Sequence, residues 1–95
     1  MVEPEIFVPT GFTPDGSGAN DVFRVRGTEI QNYEMSVFDR NGELIYFSQD
    51  FYQGWDGTHQ QTNQPMDAGA YVYRIKGFDE LGEEVVLSGI INLIR

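Results

Sequence analysis

Apolar and polar residues alternate with a period of two along most of this chain, and no stretch sustains helical spacing over three turns. Residues 22–26 (V-F-R-V-R) put Phe23 and Val25 on one side of an extended backbone and Arg24 and Arg26 on the other. Residues 33–39 set Tyr33, Met35 and Val37 against Glu34 and Ser36. Residues 70–77 set Tyr71, Tyr73 and Ile75 against Val72, Arg74 and Lys76. The final run, residues 84–95, carries Val85, Leu87, Ile91 and Leu93 on one face, and Gly89 among them is expected to permit a bulge or bend. The first run, residues 5–10, is expected to be a strand that lies at an edge or ends at Pro9, which has no N–H to give to a ladder.

Turn residues punctuate these runs. Asn41-Gly42 joins residues 33–39 to residues 44–48, the strongest short hairpin signal a sequence offers. Residues 79–82 (D-E-L-G) form a second turn, residues 27–32 turn the chain between strands, and the polar residues 58–67 read as a surface loop. His59, the single histidine, is expected to be solvated there. Short strands separated by turns about every 8–12 positions define an all-β chain. The expected architecture is an immunoglobulin-like antiparallel β-sandwich of about seven strands, without the Cys…Trp…Cys signature of antibody domains. A small β-barrel is the other arrangement this rhythm fits.

Residues 51–57 (F-Y-Q-G-W-D-G) are dense in aromatics for a connection. A core this small needs its largest side chain inside, so Trp55 is expected to be buried with Phe23, Tyr73 and Ile75 near it, and Asp56-Gly57 to form the turn after it. The alternative is an exposed carbohydrate platform of Phe51, Tyr52 and Trp55.

The loop within residues 10–27 is crowded with side-chain oxygens. Asp15, Ser17 and Asp21 copy the spacing of the first ligands of a calcium loop, and Asn20 adds a further oxygen. Arg26 stands where an EF-hand places its bidentate glutamate, and a strand-like run follows instead of a helix. An EF-hand is thereby excluded. Two readings remain: a loop braced by its own Asx-type hydrogen bonds, and a weak calcium site at Asp15, Ser17, Asn20 and Asp21. No other cofactor is indicated.

Ninety-five residues make one domain, spanning 1–95, able to bury somewhat over ~60% of its unfolded surface. There are no cysteines, which removes disulfides, thiolate metal sites and thiol nucleophiles. Fifteen acids against six Lys and Arg give a net charge of −9, a balance that repels nucleic-acid phosphates and anionic membrane surfaces. No run is long enough to cross a bilayer, and residues 1–20 hold no basic stretch followed by an apolar one. If the domain is exported, its leader is expected outside this sequence.

Five ordered segments carry a more specific signal. They are F-V-P-T-G-F-T-P-D-G-S-G-A-N-D-V-F-R-V-R-G from Phe7, S-V-F-D-R-N-G-E-L-I-Y from Ser36, G-W-D-G-T from Gly54, P-M-D-A-G-A-Y-V-Y-R-I from Pro65 and I-I-N-L-I-R from Ile90. In this order and spacing the chain resembles the gliding motility-associated C-terminal domain, the type B sorting domain of the type IX secretion system of Bacteroidota. Two positions depart from the family habit: Ser17, where an acid is common, and Asn41, where an aromatic is common. The first removes a charge from any calcium site. The block from Trp55 to Tyr73 also resembles the immunoglobulin-like domain of flagellar hook-capping proteins.

The resemblance implies a non-catalytic domain that directs an adhesin or extracellular enzyme through the periplasm and the outer membrane to the cell surface or the medium. It implies as partners the outer-membrane secretion machinery and a cognate surface-anchoring protein, with the isolated domain a monomer. Leu93, Ile94 and Arg95, at the end of the final strand, are the expected sorting surface. Trp55, Asp56, Gly57, Gly69, Tyr71 and Tyr73 form the expected structural motif. A passive immunoglobulin-like spacer is the alternative. An enzyme is disfavoured, because four serines and one histidine present no nucleophile–base set.

Overall fold

A computed structural model describes residues 6–14 and 22–94. Its seven strands are β1 (Ile6–Phe7), β2 (Gly11–Phe12), β3 (Arg26–Gly27), β4 (Gln31–Phe38), β5 (Leu44–Ser48), β6 (Gly69–Phe78) and β7 (Glu84–Leu93). Five form one sheet in the order β2-β7-β6-β4-β5, and β1 pairs with β3 in a separate antiparallel ribbon. The result is an open, sandwich-like all-β fold.

The long strands follow their alternation. Tyr33, Met35 and Val37 of β4, Tyr71 and Ile75 of β6, and Ile91 and Leu93 of β7 are all buried in one core, against which Tyr73, Val85 and Leu87 pack. The second layer is thin. It consists of the ribbon and two extended segments that bring Phe23 and Val25, and Phe51 and Trp55, over the inner face of the sheet.

Several elements differ from expectation. The strand expected over residues 5–10 does end before Pro9, and it is paired only at Ile6–Phe7. β1 ends at Phe7, and beyond Pro9 the chain crosses to the large sheet as β2, parallel to β7 through Gly11↔Asn92 and Phe12↔Leu93. The proline interrupts the ladder and lets one apolar run serve both layers. Residues 22–26 keep their inward Phe23 and Val25, yet only an isolated bridge at Phe23 and the short β3 have ladder partners. β7 carries no bulge at Gly89: its register with β6 is continuous from Gly69↔Leu93 to Phe78↔Glu84. Gly89 instead makes room, since a Cβ there would lie 2.8 Å from the Tyr73 hydroxyl and 3.0 Å from its ring. The irregular register falls in β5. Val37 pairs with Tyr46 and Phe38 with Leu44, which leaves Ile45 as an extra residue and allows Ile45 and Tyr46 both to be buried.

The β4–β5 and β6–β7 hairpins share one turn. In each, D-x-x-G-E closes with the aspartate N–H donating to the glutamate carbonyl at 3.0 Å, and the glycine N–H donating to the aspartate carbonyl at 3.0 Å. Asp39 Oδ1 accepts from the N–H groups of Asn41 and Glu43, and Asp79 Oδ1 from those of Leu81 and Glu83, all at 2.9 Å. Gly42 and Gly82 take the left-handed backbone (φ 83° and 79°) that the three-residue loop requires, and Asn41 does not. The Asn41-Gly42 pair thus marks the hairpin, with Asp39 and Gly42 as its working residues. Asp39→Ala and Asp79→Ala are expected to lower stability by about 1–2 kcal/mol each in urea unfolding, and Asp→Asn at either site by much less, because its Oδ1 still accepts. Equal losses for Ala and Asn would show that the carboxyl oxygen does not hold the turn.

Candidate functional site

The W-D-G-T segment is built around two reciprocal backbone hydrogen bonds. Phe23 N–H donates to the Trp55 carbonyl at 2.7 Å, and Trp55 N–H donates to the Phe23 carbonyl at 2.9 Å. The indole is fully buried, and its Nε1–H donates to the Thr58 carbonyl at 2.8 Å. Asp56 Oδ1 accepts from the Thr58 N–H at 3.1 Å and from its hydroxyl at 2.6 Å, an Asx-type turn with Gly57 in left-handed conformation. The ring neighbours of Trp55 are Phe12 and Tyr71, at centroid distances of 5.3 and 5.1 Å. Tyr73, expected beside it, packs on Phe23 instead, 5.5 Å away. Tyr71 donates its hydroxyl to the Asp67 carbonyl, tying the chain before β6 to the core, and Gly69 opens that strand with a positive φ. Trp55, Asp56, Gly57 and Tyr71 thus form one cluster, with Tyr73 beside Phe23 and Gly69 at the start of β6.

This arrangement removes the carbohydrate platform. Trp55 and Phe51 are buried, and only Tyr52 is exposed, at 61%. Its ring meets Phe51 edge-on and lies under the Arg24 guanidinium, 5.1 Å from the centroid, while its hydroxyl donates to Glu29 at 3.1 Å. That hydrogen bond to Glu29 raises the Tyr52 pKa. Two phenols in the core are also raised: Tyr33 far above the ordinary tyrosine range by burial and then by Tyr46, and Tyr46 by burial.

His59 is not a solvated loop residue. Its ring is largely covered, Nδ1 accepts from the Gln61 N–H at 3.2 Å, and Nε2–H donates to Glu43 at 2.8 Å. Around it, the surface loop of residues 58–67 is closed on itself by the Thr58↔Pro65 bridge. Among the described residues no group of three or more His, Asp or Glu side chains is placed to hold a metal. Asp15, Ser17, Asn20 and Asp21 lie outside the described residues, as does Arg95.

The surfaces left for recognition are the outer face of the large sheet and its two edges. On that face Ile90, Val72, Phe38 and Leu44 stand in register across β7, β6, β4 and β5 as one apolar row. The β5 edge is capped. Gln60 N–H donates to the Ile45 carbonyl, and the Gln60 side-chain amide accepts from the Phe47 N–H at 3.0 Å and donates to its carbonyl at 2.9 Å. Among the described residues, the β7 edge is paired only at its C-terminal end, with β2. Of the expected sorting residues, Leu93 is 1% exposed, because its position in the alternation turns it into the core, so it offers no surface; Ile94 is exposed. The sequence did carry a sign of the open edge: of the outward positions Glu84, Val86, Ser88 and Ile90, only Glu84 is charged. The Gln60 cap had no local signal, being thirteen residues from its partner.

Fold and surface together define a small all-β module of the immunoglobulin-like sandwich class. The model of the CHU_C type IX secretion signal domain family matches residues 6–93, and the chain belongs to that family. It accordingly has a sorting role in type IX secretion. Among solved structures the chain is similar to PorZ, an essential bacterial surface component of the type IX secretion system of Porphyromonas gingivalis. The TM-score is 0.55 at 16% identity, over 97% of this chain and 11% of that one, a likeness of fold. No curated protein matches the chain.

Two outcomes follow from this core. Trp55→Ala should cost about 3–5 kcal/mol, and native tryptophan emission should be blue-shifted and move to the red on unfolding. Emission typical of a water-exposed indole in the folded protein would contradict the burial. The raised phenol pKa values mean that the native state holds those protons more tightly than the unfolded chain. Stability is therefore fully present below a pH of about 10 and falls as pH rises beyond it. Tyr33→Phe should flatten that fall in urea unfolding followed across the alkaline range. An unchanged slope would contradict the assignment.

Proposed function

We propose that this chain is the non-catalytic sorting domain of a larger exported protein, an adhesin or an extracellular enzyme. It folds in the periplasm and presents its surface to the outer-membrane secretion machinery and to a cognate surface-anchoring protein. The observation that carries the reading is the family match across residues 6–93. The build of the domain supports it. The chemically suggestive residues are taken up structurally: His59 by Glu43, Asp56 by Thr58, and Asp39 and Asp79 by their turns. The outer face keeps a row of exposed apolar side chains among polar ones, and the β7 edge keeps outward main chain, materials that suit protein recognition.

The test is a fusion carrying a signal peptide and a fluorescent protein on the N-terminal side of residues 1–95, expressed in a host that secretes type B cargo with the cognate partner supplied. Fluorescent protein should reach the cell surface or the medium, and a fusion lacking the domain should stay in the periplasm. Retention of the intact fusion, while the host's own type B cargo is exported, would contradict the proposal.

A further inference from the structure

We infer that the open edge of β7, residues 84–90, is a docking site at which an extended segment of a partner protein adds as a further strand. The inference rests on the sorting reading and names the surface that the secretion machinery would engage. Asn92 N–H donates to the Thr10 carbonyl and Ile94 N–H to the Phe12 carbonyl, so the even-numbered residues turn their main-chain groups away from β6. By the two-residue alternation of a strand, the N–H and C=O groups of Glu84, Val86, Ser88 and Ile90 point the same way. Among the described residues none of these groups has a hydrogen-bond partner.

Natural sheets shield such an edge with prolines, bulges, charges or a covering loop. β5 is shielded by Gln60. Along residues 84–90 there is no proline and no bulge, and Glu84 is the one charge. The outward side chains there include Val86, 47% exposed, and Ile90, 60% exposed. Val85 and Leu87, on the inner face, are only half-buried, so a strand laid alongside would cover apolar surface on both faces.

Charge selects the occupant. A second copy would carry its own net charge of −9, like in sign to Asp79, Glu80, Glu83 and Glu84, which gather acid at one end of the edge. At the other end Ile90 continues the row of Val72, Phe38 and Leu44. The partner segment is therefore extended. It carries a Lys or Arg opposite Glu84 and, about six residues away on the same face, an apolar side chain opposite Ile90.

The test uses the same passenger fusion. Ser88→Pro deletes an outward N–H and no bond to β6, so the domain should keep its circular dichroism and cooperative melting while export falls on the order of tenfold or more. Gln61→Ala, an exposed change beside the capped edge, should export like the parent. If Ser88→Pro does not fold, the double variant Val86→Lys/Ile90→Lys takes its place, since both side chains are exposed and outward charge obstructs strand addition. Parent-level export of either folded variant would overturn the docking site and leave the sorting role standing. Retention of the parent fusion itself, with other cargo exported, would remove the sorting reading on which the site rests. Sedimentation that shows a concentration-dependent dimer abolished by Ser88→Pro would assign the edge to a second copy and also overturn the inference.

Discussion

The reciprocal hydrogen bonds between Phe23 and Trp55 are what the rest of this small fold depends on. A five-stranded sheet alone would expose its inner row of Tyr, Ile, Val and Leu side chains, and the two-residue strands of the ribbon are too short to cover it. The bridge holds two otherwise irregular segments side by side and drops Phe23 and Trp55 onto that face, where Phe12 and Tyr71 close around the indole. The hydrogen bond from the indole N–H to Thr58 satisfies its one polar atom, so the largest side chain is buried without an unpaired donor.

A second layer this economical leaves much of the large sheet in view. Its outer face and edges are made of backbone and mixed apolar and polar side chains, which suits recognition by another protein better than chemistry on a small molecule. The two edges are treated differently. One is closed by a side-chain amide standing in for a neighbouring strand, and among the described residues the other keeps its outward main-chain groups unpaired over most of its length. For a family that works as a secretion signal, that asymmetry gives the domain a front and a back.

Much of the fold was legible in the sequence because it rests on local rules. Alternation placed Tyr33, Met35, Val37, Tyr71 and Ile75 inward, and Asn41-Gly42 and residues 79–82 marked both hairpins. What was not legible depends on partners distant in sequence. Pro9 breaks the first run, but only the pairing of Gly11 with Asn92 makes the remainder a parallel strand of the other sheet. Gly89 looked like a bulge and is instead the floor beneath Tyr73, sixteen residues away. Leu93, expected at the surface beside Ile94, shares its parity with Ile91 and lies in the core. The aromatic cluster at residues 51–55 was ambiguous until Phe23 was seen to pair with it.

The central claim is that the last strand presents its main chain outward, and amide hydrogen exchange measured residue by residue tests it most directly. In the isolated folded domain, the amides of Val86, Ser88 and Ile90 should exchange quickly, while those of Leu87, Gly89 and Ile91, which face β6, should be protected about as well as the core. Uniform protection along residues 84–91 would mean that the edge is already covered, and would contradict the account.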